Sequence, residues 1–216
     1  MSAPPTETPR EAQSVSRRPL VVLSLLFVVP LAIAFILYYG GSWRPAKNTQ
    51  HGELIHPARP LPEIALATID GGETAPKFLQ ERWSLLFVGD GRCDERCKNA
   101  LADMQRAREM LGKDIFRVQS VFLVSESCCD REFLKSTYPN LMTARLDAEA
   151  VAPQVAKDVE SFIATFPTYE SVPATRAGRI YIVDPLGNLM MSYPAAATGI
   201  GMYEDLKTLL KLSHIG

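Results

Sequence analysis

The sequence predicts an α/β domain, a central mixed sheet with flanking helices, preceded by one transmembrane helix. Three observations lead there. The stretch from Pro19 to Trp43 contains no charged residue, while the rest of the 216-residue chain has ordinary polarity. Beyond it, short apolar runs of strand length alternate with segments whose apolar residues recur every three to four positions. Finally, two of the strand-like runs enclose one helical segment, the pattern of a βαβ unit, whose strands run parallel.

The elements follow in chain order. Residues 1–18 form a short Pro/Ser/Thr-rich tail with almost nothing apolar to bury, which predicts disorder. Residues 19–43 are the anchor. About 20 apolar residues suffice to cross a hydrocarbon core of about 30 Å as a helix. This run exceeds the apolar core of a signal peptide and closes on Tyr38, Tyr39 and Trp43, residue types that favour the membrane interface. Pro30 is tolerated inside such a helix. Arg10, Arg17 and Arg18 precede the run, against Arg44 and Lys47 after it, which sets the N-terminus inside. In a bacterium the anchor then lies in the inner (cytoplasmic) membrane and the large domain in the periplasm, where cysteine redox chemistry has partners. Residues 44–62, rich in Pro and polar side chains, read as a linker to a domain over 63–216.

Within that domain, 63–69 reads as a short strand ending in the turn Asp70-Gly71-Gly72, and the continuous apolar run 83–89 has the length of a buried strand. Cys97, Ala100, Leu101, Met104, Ala107 and Leu111 then recur at helical spacing, with Gly112 where a C-terminal cap falls. The run 117–124 is the second strand of the βαβ unit. Asp130 is placed to cap a short helix through Leu134. The segment 147–163 puts Val151, Val155, Val159 and Phe162 on one helical face, with Pro153 in the first turns. A third strong strand, 179–183, leads through the turn Asp184-Pro185-Leu186-Gly187 to a strand partner at 188–193. Met202, Leu206, Leu209 and Leu210 mark a closing helix.

A formal net charge of -1 and the lack of a dense Lys/Arg cluster exclude a nucleic-acid-binding surface. Four cysteines are too few for a disulfide-framework miniprotein and enough for one reactive site. Cys93 and Cys97 begin immediately after the strand 83–89, the first in the strand-to-helix turn and the second one helical turn later. Backbone N–H groups and the positive end of the helix dipole favour a thiolate there. Arg92 and Arg96 push the same way, and Asp94 and Glu95 oppose it. Two such thiolates also form a soft pair suited to Cu(I) or, with further ligands, Zn. The plain alternative is a pair of buried helix cysteines without chemistry. Cys128 and Cys129 follow the next strand. Parallel strands emerge on one edge of the sheet, where sites in α/β folds gather, so the second pair is expected to face the first as a resolving thiol or an added metal ligand.

The domain resembles the Sco/SenC (PrrC-like) family of membrane-anchored, thioredoxin-fold proteins that assist assembly of the Cu-A centre of cytochrome c oxidase. The resemblance covers about residues 61–212. It rests on Ile69-Asp70-Gly71-Gly72 followed by the strand 83–89, on a Cys-x3-Cys pair separated from that strand's Gly by three residues, and on Tyr181-Ile182-Val183-Asp184-Pro185-Leu186-Gly187. Thioredoxin-like reductases of the TlpA/ResA type use Cys-x2-Cys instead. They also place a cis-proline before the last core strand, where this chain, like Sco proteins, has none; Gly178 stands there. The resemblance implies a thioredoxin-like sheet, a setting in oxidase biogenesis, and a copper site on Cys93 and Cys97.

Two departures bear on that site. In the resembled family a histidine five residues before the strand tyrosine completes the copper site; here that position is Arg176, and a guanidinium cannot ligate copper. The prolines that usually follow each family cysteine are Asp94 and Lys98. His51 and His56 in the linker and His214 near the C-terminus read as solvated surface residues, and Met190 and Met191 as core filler. Three functions stay open. The first is a thiol–disulfide oxidoreductase in which Cys93 attacks and Cys97 resolves, acting on a cytochrome c oxidase subunit or another periplasmic thiol or copper protein. The second is a Cu(I) chaperone using Cys93 and Cys97 with Cys128 or Cys129 as the further ligand. The third is a non-catalytic assembly scaffold.

Overall fold

A computed structural model describes residues 17–40, 50–126, 130–146 and 153–213. The chain divides into two compact units, Met1–Asn48 and Thr49–Gly216. The first unit holds α1 (Arg18–Tyr39), a 22-residue helix long and apolar enough to cross a membrane.

The second unit carries, in order, β1 (Glu53–Pro60), β2 (Trp83–Gly89), α2 (Glu95–Glu109), a 3-10 turn at Gly112–Arg117, β3 (Val118–Val124), α3 (Arg131–Thr137), β4 (Leu141–Arg145), α4 (Pro153–Ala164), α5 (Ala174–Ala177), β5 (Ile180–Val183), β6 (Asn188–Tyr193) and α6 (Gly199–Leu212). Six strands form one sheet in the order β1-β6-β5-β2-β3-β4. β2, β3 and β4 are parallel, and β5, β6 and β1 add to them antiparallel. This is the α/β mixed sheet with flanking helices that the sequence predicts.

β2 is apolar throughout because both of its faces are covered. Leu85 and Phe87 point with Phe122 into a core shared with Leu101, Met104, Met202 and Leu206 of α2 and α6. Leu86 and Val88 point the other way with Val121 and Leu123 and pack with Val159 and Phe162 of α4. The period of two along each strand thus sorts one apolar run into two cores. β2 and β3 pair from Trp83↔Val118 to Gly89↔Val124, and the Ser125 amide donates to the Gly89 carbonyl at 3.0 Å. Their C-terminal ends therefore emerge side by side.

Several elements differ from the sequence reading. β1 falls inside the stretch read as linker. It is an edge strand with almost every side chain exposed, so Pro57 and Pro60 are tolerated and no alternation marks it. The expected strand at 63–69 makes only single bridges, Ala67↔Glu73 and Thr68↔Ala144. β4 and the four-residue α5 are too short to leave a periodic signal. Of the helix expected from residue 147, α4 begins at Pro153, and residues 147–152 lie outside the described residues.

The start of the domain is clamped to α6 by Asp205, only 6% exposed. Its carboxylate accepts the His51 amide at 2.9 Å, the Gly52 amide at 2.9 Å and the Tyr193 hydroxyl at 2.8 Å. Burial, and then the carboxylate itself, push the Tyr193 hydroxyl far above the ordinary tyrosine value.

Candidate functional site

The turn between β2 and α2 is built by two aspartates. The Asp90 carboxylate accepts the Arg92 amide at 3.0 Å, and the Cys93 amide donates to the Asp90 carbonyl at 3.2 Å. Cys93 then takes a left-handed backbone, φ 44°, uncommon for a residue with a Cβ. Asp94 is the N-cap of α2 and accepts the Cys97 amide at 3.0 Å. Cys93 therefore sits just outside the helix and Cys97 in its first turn.

The two cysteines are joined in a disulfide with Cα atoms 4.9 Å apart, inside the range that bridge needs. Both residues are buried in the α2 core, Cys93 at 7% and Cys97 at 4% exposure. Cys97 also lines an open cleft of about 570 Å³ with Phe87, Gly89 and the α5 turn. α5 ends at Gly178, whose φ of 57° lets the chain turn directly towards β5. Gly178 lines the cleft, and so does Arg176.

Three ion pairs surround the cleft: Arg92–Asp90 at 2.7 Å, Arg96–Asp94 at 3.4 Å and Arg176–Glu126 at 3.2 Å. The side-chain hydrogen bond from Arg92 holds the Asp90 carboxyl below the usual carboxylate value, and the Cys97 amide does the same for Asp94. Arg92 and Arg96, expected to favour a cysteine thiolate, are thus each engaged by an aspartate. The Ser125 hydroxyl donates to the Thr175 carbonyl at 2.8 Å and ties the end of β3 to α5, beside the Glu126–Arg176 pair.

Of the predicted site residues, Cys93 and Cys97 are brought together, and Arg176 lines the same cleft. Cys128, Cys129 and His214 lie outside the described residues. His51 is held by Glu204 and Asp205, and neither it nor His56 lines the cleft. Met191 is buried in the core, and Met190 packs against it. With Cys93 and Cys97 joined, the described residues present no copper site: Arg176 has no lone pair to give, and no group of three or more His, Cys, Asp and Glu converges among them. Asp90 and Glu126 are not singled out by the sequence, and Asp94 reads there as an opposing charge and a departure from the family's proline; an aspartate three residues before Cys97 is nevertheless an N-cap signal.

A family model described as transmembrane-like, thioredoxin-like, C-terminal domain matches residues 83–164 and 143–213. No curated protein matches the chain. Among solved structures, apo Sco1 from Thermus thermophilus is similar with a TM-score of 0.57 at 20% identity, covering 76% of this chain and 99% of that one. Bradyrhizobium japonicum ScoI with copper bound gives 0.52 at 21% identity, covering 70% and 99%. A DsbF homologue from Corynebacterium diphtheriae gives 0.50 at 14% identity, covering 79% and 97%. Likeness at these identities shows the fold, and the fold expected from the Sco/SenC resemblance is the one found.

Proposed function

The chain belongs to the transmembrane-like, thioredoxin-like C-terminal domain family, and on that premise we propose that it is a membrane-anchored thiol–disulfide oxidoreductase acting through Cys93 and Cys97. The observation that carries this reading is the Cys93–Cys97 disulfide at the β2–α2 turn, with Cys97 on an open cleft. In the reduced form, the Cys93 thiolate attacks one sulfur of a partner disulfide and expels the other as a thiolate. Cys97 then attacks the Cys93 sulfur of the mixed disulfide, releasing the second partner thiolate and closing the Cys93–Cys97 bond. Two electrons pass to the partner, whose thiolates take up two protons, and a dithiol reductant restores the pair.

The setting we assign is the periplasmic face of a bacterial inner membrane, with α1 as anchor and the N-terminus inside. The substrate is the oxidised pair of copper-binding cysteines of a cytochrome c oxidase subunit. Structural likeness to Sco proteins, one of them with copper bound, supports that setting. The test is transfer to a peptide bearing two cysteines as a disulfide. The pre-reduced protein yields one peptide dithiol per protein, Cys93→Ser abolishes transfer, and Cys97→Ser traps a mixed disulfide on Cys93. Transfer that survives Cys93→Ser overturns the assignment.

A second reading is a Cu(I) chaperone in which reduced Cys93 and Cys97 are joined by Cys128 or Cys129. The side-by-side ends of β2 and β3 favour it, since Cys128 and Cys129 follow β3 in the sequence as Cys93 follows β2. Titration of the reduced protein with Cu(I) against a competing chelator decides it: tight 1:1 binding lost in Cys128→Ser or Cys129→Ser supports the chaperone. Failure of both transfer and copper binding leaves an assembly scaffold.

A further inference from the structure

We infer that Arg176 is a specificity-determining residue of the cleft, which accepts target disulfides flanked by acidic side chains. The inference rests on the oxidoreductase reading and adds the chemistry of its substrate. The three ion pairs around the cleft balance in charge but not in hydrogen-bonding capacity. Both oxygens of Asp90 already accept from Arg92, one from its amide and the other from its guanidinium. Both oxygens of Asp94 are also used, by the Cys97 amide and by Arg96. The carboxylates nearest the cysteines are therefore occupied on every oxygen.

The guanidiniums of Arg176 and Arg96 each donate from Nε alone, to Glu126 and Asp94, and so hold donors in reserve. A guanidinium offers five N–H donors in a rigid fork suited to a carboxylate. Among the described residues, Arg176 donates from Nε to Glu126 at 3.2 Å, which leaves the terminal nitrogens to meet an incoming group. The side chain is 73% exposed and lines the cleft with Cys97, so a partner whose disulfide reaches the cysteines passes beside it. Its backbone is held in place: the Ser125 hydroxyl grips the Thr175 carbonyl, and Gly178 closes α5 immediately after it. Glu126 is a single carboxylate that an acidic residue of the partner displaces or joins. A basic segment finds less, because every oxygen of the two aspartates already accepts a bond.

The test compares two synthetic peptide disulfides, identical except for two Glu or two Lys beside the cysteines, reduced by the full-length pre-reduced protein in detergent. The expected result is a preference of about two- to five-fold for the Glu peptide in kcat/KM, carried in KM, as befits one exposed charge contact. It shrinks as salt rises, because the contact is screened. Arg176→Gln lowers the ratio towards one, Arg176→Glu lowers it further, Arg176→Lys retains part of it, and Glu126→Gln widens it. A ratio near one in the unaltered protein, or one indifferent to charge reversal at Arg176, overturns the inference. Transfer to the peptides with no charge preference leaves the oxidoreductase reading standing without it, and transfer to neither peptide overturns both.

Discussion

Two polar clusters of this domain use the same residue types to opposite ends. Around Asp205, a buried carboxylate receives two backbone amides and a tyrosine hydroxyl, all from β6 and the segment entering β1. Around the cleft, three carboxylates, two exposed and Asp90 half-buried, each meet one arginine from 2.7 to 3.4 Å. The first cluster is closed, saturated and shielded from water, so each member is costly to remove. In the second, water screens every pair, and the partners exchange at small cost. The difference teaches where to look for chemistry in a sheet this apolar. The saturated cluster holds the fold, while the exchangeable one borders the only disulfide among the described residues.

The comparison breaks first, and most widely, at Asp205. Asp205→Ala leaves the Tyr193 hydroxyl and the His51 and Gly52 amides without an acceptor and is expected to cost about 3 kcal/mol or more. Urea unfolding measures it, and a loss below about 1 kcal/mol contradicts the clamp. Next comes reduction of the Cys93–Cys97 bond. Its ring is small, so the chain-entropy relation assigns it about 2 kcal/mol; the shift in urea midpoint on adding a reductant reads it, with the Cys93→Ser/Cys97→Ser double variant as the control that no longer responds.

Asp94→Ala removes the α2 cap at an expected cost of about 1 kcal/mol near neutrality. The Cys97 amide depresses the Asp94 carboxyl in the folded state. The cap's contribution is therefore full above the ordinary aspartate pKa of about 3.9 and is lost as pH falls through the lower folded value. Melting curves of the two proteins should accordingly converge on acidification; a gap that persists in strong acid assigns the cost to something other than the carboxylate. The smallest effect belongs to Glu126→Gln, which should change stability by less than about 0.5 kcal/mol while altering peptide preference. A large loss there would place the Glu126–Arg176 pair with the structural cluster.

The legibility of the molecule in its sequence follows the same division. β2 and β3 are plain because burial on both faces leaves a continuous apolar run of strand length, and α2 and α6 because burial on one face imposes a helical period. The cysteine pair was legible too, from its place after a strand and at the start of a helix. β1 was not, since an exposed edge strand carries no period, and its prolines read as linker. The link between Ser125 and Thr175 and the pair Glu126–Arg176 each join residues fifty positions apart, a proximity that only the crossing of β3 over to β5 creates. Asp205 looked like any polar residue of an amphipathic helix, because its role depends on a segment 153 residues earlier.

The proposed chemistry requires Cys93 and Cys97 to form a reversible two-electron couple. Its most direct measurement equilibrates the full-length protein in detergent across dithiol/disulfide buffers of graded ratio and counts alkylated cysteines by mass spectrometry. The Cys93 and Cys97 peptides are expected to gain and lose label together along one two-electron Nernst curve, identical from the oxidised and reduced sides. Labels on the two cysteines that change independently, or a pair that never closes at the most oxidising ratio, would contradict it.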